Sequence, residues 1–144
     1  IIRQMQEDVM ERRFFQITIA VLSLIPIMDA VLGFYQGPSH LFPEGGAYPN
    51  NLDNHYRYLT GAYLAVTFAI WWTLGNIEER VVPFRMICAA VFIGGLGRVV
   101  SMATVGMPES SEYIVGALIE LVLVPLLLLW QVRLRRKAGD TGLN

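Results

Sequence analysis

Apolar residues run through this chain in four long blocks, at 14–36, 54–75, 83–105 and 113–131, separated by one long polar connection at 37–53 and two short ones. A helix needs about 20 mostly apolar residues to cross hydrocarbon, and each block meets that length. The expected fold class is all-α, an integral membrane four-helix bundle. The expected organisation is a charged, helical lead-in over 1–13, one four-helix domain over 14–131 and a basic tail over 132–144. Within the first block Pro26 has no amide hydrogen for the carbonyl of Leu22, so a kink is expected there. Gly37 and Pro38 then stop the helix. Asp53 or Asn54 is the expected N-cap of the second block, and Pro83 suits the first turn of the third.

Composition agrees: 54% of the 144 residues are hydrophobic and 16% charged, and the mean hydropathy is +0.47. Charge placement adds a direction. With the first residues in the cytoplasm, Arg3, Arg12, Arg13, Arg80, Arg85, Arg133, Arg135, Arg136 and Lys137 all fall inside, which is nine of eleven bases. The 106–112 connection carries Glu109 and Glu112 and no base. This bias predicts both termini in the cytoplasm, with several passes. Trp71, Trp72 and Trp130 at one level and Tyr35, Tyr56 and Tyr58 at the other supply two aromatic belts. The bases flank apolar spans and serve to anchor anionic headgroups, so nucleic acid is not an expected partner. The chain starts at Ile1, so further sequence is expected before it. Nothing visible resembles a cleavable signal, and the first block is expected to stay in the membrane.

Against that background the ionisable residues inside the spans stand out. Such charges cost at least ~3 kcal/mol each near mid-membrane and face one another or a wet cavity. Asp29, Arg98 and Glu120 each lie seven residues from the outer end of their blocks, roughly 10 Å deep by helical rise. Arg57 lies just above, with Asp53 and His55 beside it, and its stem is long enough to turn the guanidinium inward. Ser101 falls on the face of Arg98. The expected cluster is therefore Asp29, Asp53, His55, Arg57, Arg98, Ser101 and Glu120. Two readings stay open: a pair that fixes helix register, or an outward-opening pocket that binds a ligand or handles protons. Gly61, Gly94, Gly95, Gly97 and Gly116 are expected to let helices approach closely. The run Gly94–Gly97 is no phosphate loop, because it lies within an apolar helix.

No catalytic residues are expected, since no nucleophile, base and oxyanion donor fall into a pattern. A metal site is not expected either: His40, His55 and Asp53 lack ligand spacing, and a single cysteine, Cys88, excludes cysteine-rich centres. No obligatory cofactor is expected.

The stretches NHYRYLTGAYLAVTFAIWW at 54–72, VFIGGLGRVVSMATVGMP at 91–108 and ELVLVPLLLLWQ at 120–131 resemble a bacterial membrane-protein family catalogued as domain of unknown function 4345. The resemblance extends over about residues 12–133. It implies a small four-helix inner-membrane protein and no established activity, with His55, Arg57, Gly61, Gly95, Arg98 and Glu120 at motif positions. More loosely, the architecture is similar to DoxX-type proteins, some of which are linked to quinone chemistry. The expected role is non-enzymatic: an accessory subunit of a larger membrane complex, or a binder of a lipid or quinone-like ligand. The alternative is a quinone-linked oxidoreductase component or a proton-coupled carrier. Membrane lipids, together with other subunits or further copies of the chain, are the expected partners.

Overall fold

The computed structural model describes residues 2–42 and 46–140, with side chains over 6–39, 41–42 and 46–137. All regular structure among the described residues is helical. Packing groups the chain into two compact units, Arg13–Gly75 and the combination of Ile1–Arg12 with Asn76–Asn144.

In the Arg13–Gly75 unit, α1 (Ile2–Leu22) and α2 (Leu24–Gln36) meet at a break on Ser23. Its cause is Pro26, whose ring removes the donor that the Leu22 carbonyl needs. Ser23 is buried at this break. Its hydroxyl donates to the Ala20 carbonyl at 2.7 Å and accepts from the Trp71 indole N–H at 2.6 Å. Trp71 thus holds α3 (Asn50–Leu74) to the kink. Gly33 sets the next approach: a Cβ there would stand 2.6 Å from Thr60 Cγ2 and 2.9 Å from Tyr56 Cε1. At the far end of the hairpin the Gln16 amide donates to the Leu74 carbonyl at 2.6 Å, satisfying an orphan group of the last turn of α3.

The start of α3 corrects one expectation. The helix opens one turn early, at Asn50 after Pro49. The Pro49 carbonyl accepts from Leu52 N at 2.9 Å and Asp53 N at 3.3 Å. Asp53 therefore sits in the first turn rather than at the cap, where a carboxylate is favoured by the exposed N–H groups.

In the other unit, α4 (Val81–Thr104) packs against a second rod built from α5 (Ser111–Leu118), a π-helical turn (Ile119–Leu123) and α6 (Val124–Asp140). The first turns of α1 are tied in by charge. Glu11 accepts from Lys137 Nζ and from Trp130 Nε1 at 3.3 Å, and Arg12 pairs with Glu78 at 3.4 Å.

Among the described residues, three stretches are long and apolar enough to cross a membrane: Gln6–Ser39, Val81–Thr104 and Ser111–Lys137. No more than 22% of the most apolar window of any of them is buried. In water so much bare hydrocarbon surface would aggregate; in lipid it is solvated. α3 is the exception among the four expected spans. At 25 residues it is long enough, but Asn50, Asn51, Asp53, Asn54, His55 and Arg57 crowd its first two turns. Further along, its threonines satisfy themselves: Thr60, Thr67 and Thr73 donate to the carbonyls of Tyr56, Tyr63 and Ile70 at 3.0, 3.0 and 2.6 Å.

α2 ends on Gly37, whose φ of +68° only glycine adopts readily. Its N–H donates to the Gly33 carbonyl, and a Cβ would overlap the Asp53 carboxylate and press on the Arg57 guanidinium. Gly37→Ala should lower stability by at least ~1 kcal/mol from backbone strain alone, read as the thermal midpoint in detergent. Gly46→Ala, which would meet only Phe42 at 3.8 Å, should leave it unchanged. An unaltered midpoint for Gly37→Ala would contradict this cap.

Candidate functional site

The structure sorts the seven expected polar residues into two ion pairs, one in each unit, and leaves three residues outside both. In the Arg13–Gly75 unit the pair is Asp53–Arg57, with Nε 2.9 Å from Oδ2. Arg57 Nη1 also donates to the Phe34 and Tyr35 carbonyls, each at 2.7 Å. It therefore caps the C-terminal end of α2, where a cation is favoured by unpaired carbonyls and the helix dipole. Arg57, with a stem expected to be long enough to turn the guanidinium inward, thus reaches the end of α2 and not Asp29, for a physical reason. The carbonyls at the end of α2 lie opposite the first turns of α3, whereas Asp29 is about one and a half turns further back along α2. Asp29 is exposed, and no hydrogen bond or ion pair is found for it among the described residues. His55 is exposed too, with its ring tilted against Tyr58 at 6.3 Å between centroids. The side chain of His40 lies outside the described residues.

The second pair lies between two apolar helices. Arg98 Nε donates to Glu120 Oε2 at 2.8 Å. The two side chains differ sharply in exposure: 8% for Glu120 and 36% for Arg98. Glu120 is thus enclosed while about a third of the Arg98 side chain stays accessible. Three local features set this up. Glu120 sits in the π-helical turn Ile119–Leu123, closed by a Val124 N–H to Ile119 carbonyl bond. Pro125 comes directly after and cannot donate, so the ladder is disturbed there. One extra residue in a turn rotates the helix beyond it, and such turns concentrate at functional sites. Gly95 then admits the wide turn: a Cβ there would lie 2.8 Å from Glu120 Cβ and 3.0 Å from Leu121 Cγ and Cδ2. Gly116 leaves ordinary contact distance to the guanidinium, 3.7 Å to Arg98 Cζ.

The remaining predicted positions behave differently. Gly61 faces the Phe34 ring, 3.3 Å from a would-be Cβ. Gly94 and Gly97 meet nothing within 4 Å, so the close internal packing expected of them is not made. Ser101 is exposed, and no side-chain hydrogen bond is found for it among the described residues. Sequence reasoning missed Gly33, Gln131 and Glu11, each of which anchors a helix contact. The only signal for Gln131 is an amide near the end of an apolar block. Cys88 is buried, and no three His, Cys, Asp or Glu side chains gather among the described residues.

A family model described as domain of unknown function (DUF4345) matches residues 14–131. The chain belongs to this family. The match covers both ion pairs and the π-helical turn, and it starts at the apolar part of α1. No curated protein and no solved structure matches the chain. Membership in the family brings no assigned activity, so any chemistry rests on these side chains themselves.

The glycines supply the sharpest test of the geometry. Gly95→Ala should destabilise by about 1–3 kcal/mol, the usual cost of overpacking a tight contact. Gly94→Ala, one residue away with open space beside it, should stay within about 0.5 kcal/mol. Equal effects of the two substitutions on unfolding in detergent would place α4 in a different rotation.

Proposed function

We propose that this chain is a non-enzymatic inner-membrane protein that binds a small amphipathic molecule, lipid or quinone-like, through Arg98. The carrying observation is the unequal exposure of the Arg98–Glu120 pair. Glu120 is enclosed and supplies the counter-charge that makes an arginine tolerable in an apolar helix. About a third of the Arg98 side chain is accessible, and the planar shape and charge of its guanidinium suit a carbonyl or anionic oxygen. Farther along the same face of the helix Val105 is exposed, an apolar neighbour suited to a tail or ring. The site so described uses only α4 and the rod of α5, the π-helical turn and α6.

The same reading has both termini in the cytoplasm. It requires α3 to cross as a fourth span, which its self-satisfied threonines support, together with the gathering of its polar residues at one end. Residues 106–112 then lie outside, and the basic segments around Arg80, Arg85 and Arg133 lie inside. A second role, as accessory subunit or homo-oligomer, is supported by Gly94 and Gly97, which stand uncovered on α4 in the manner of small residues that seat a neighbouring helix.

The experiment is mass spectrometry of the gently extracted protein, with lipids, quinones and co-purifying subunits identified together. The wild type should carry an amphipathic molecule that the double variant Arg98→Met with Glu120→Leu has lost while remaining folded and monodisperse. Removing both charges leaves no stranded partner. Equal loading of the two proteins would contradict binding through Arg98.

A further inference from the structure

We infer that Arg85 and Gln131 form a binding site for the phosphate of an anionic phospholipid, separate from the Arg98–Glu120 pair. Arg85 sits in the second turn of α4, roughly 6 Å along the helix from Val81. Its Nε and Nη2 both donate to Oε1 of Gln131, each at 3.3 Å. Gln131, on α6, is 2% exposed. A buried amide thus fixes the plane of an exposed guanidinium. Among the described residues only Nε and one Nη2 hydrogen are used, so Nη1 and the second Nη2 hydrogen are left for another acceptor.

Charge accounting in this unit shows what that acceptor should be. Glu78 is matched by Arg12, and Glu11 by Lys137 and Arg133. Asp8 also pairs with Lys137, at 3.8 Å. Arg85 has a neutral amide where these bases have carboxylates, and no ion pair is found for it among the described residues. A guanidinium that is oriented but not neutralised calls for an anion from outside the chain, and phosphate matches its planar donors. The surroundings favour a lipid phosphate over a free one. On α4, Val82 lies three residues before Arg85 and Ala89 four after it, with Met86 adjacent. Val82 is 66% and Met86 68% exposed, and Ala89 is exposed as well. Residues three and four apart share a helix face, so an apolar track leads away from the guanidinium, as an acyl chain requires. Basic pockets between helices at a membrane surface bind phospholipid headgroups in this way.

Native mass spectrometry of the full chain in neutral detergent tests the site, using phosphatidylglycerol and phosphatidylcholine with the same acyl chains. The wild type should retain phosphatidylglycerol in preference. Arg85→Gln should weaken that retention at least about tenfold, equivalent to 1.4 kcal/mol, and leave phosphatidylcholine unaffected. Arg136→Gln, which removes an exposed base of the tail, should keep the preference. Gln131→Leu keeps the charge and releases the guanidinium, and it should reduce the preference too. It also serves as the second variant should Arg85→Gln fold poorly. Excess inorganic phosphate should not displace the lipid. An undiminished preference in Arg85→Gln or Gln131→Leu, an equal loss in Arg136→Gln, or displacement by phosphate would each overturn the assignment.

Discussion

A carboxylate enclosed between two apolar helices must be met by a cation, and the bond from Arg98 to Glu120 is where this chain meets that demand. Nearly every local irregularity of α4 and its neighbouring rod stems from it. The wide turn at Ile119–Leu123 carries Glu120 into the contact. Pro125 keeps the ladder open there, and Gly95 gives the backbone room. Neither a π-helical turn nor a glycine in mid-helix is favourable alone. They persist because they deliver a 2.8 Å charge-assisted bond where an unmatched charge would cost several kcal/mol.

The other unit solves a different problem with a similar residue. Arg57 turns toward backbone, closing the end of α2 at Phe34 and Tyr35 while Asp53 neutralises it. Gly37 makes that closure possible, since any side chain there would occupy the space of the pair. The two arginines therefore differ in kind. Arg57 is tied to backbone carbonyls and to a partly exposed carboxylate, whereas Arg98 is paired with an enclosed one. This difference is why the functional reading rests on Arg98.

Much of the fold is legible in the residues because membranes impose coarse rules. Length and apolarity mark out the helices, Pro26 marks the break at Ser23, and Gly37 with Pro38 marks the end of α2. Arg98 and Glu120 stand out as lone charges within apolar runs. The features that are not legible depend on facing surfaces. The early start of α3 at Asn50 comes from the Pro49 carbonyl, not from the better-known capping residues after it. The capping role of Arg57 requires knowing that the end of α2 lies opposite the first turns of α3. Gly33 and Gly95 look no different in sequence from Gly94 and Gly97, yet only the first two face a neighbour. A residue's partner across a helix contact is set by rotation, which a broadly apolar sequence hardly constrains.

The pairing energy of Arg98 and Glu120 is the quantity on which the account turns. It can be measured as a double-mutant cycle, comparing unfolding of the wild type, Arg98→Met, Glu120→Leu and the combined variant in lipid-like micelles. Each single replacement is expected to cost more than the combined one, which makes the favourable coupling larger than the cost of either single replacement. Additive costs, with no coupling between the two positions, would show that the charges do not meet and would contradict the central claim.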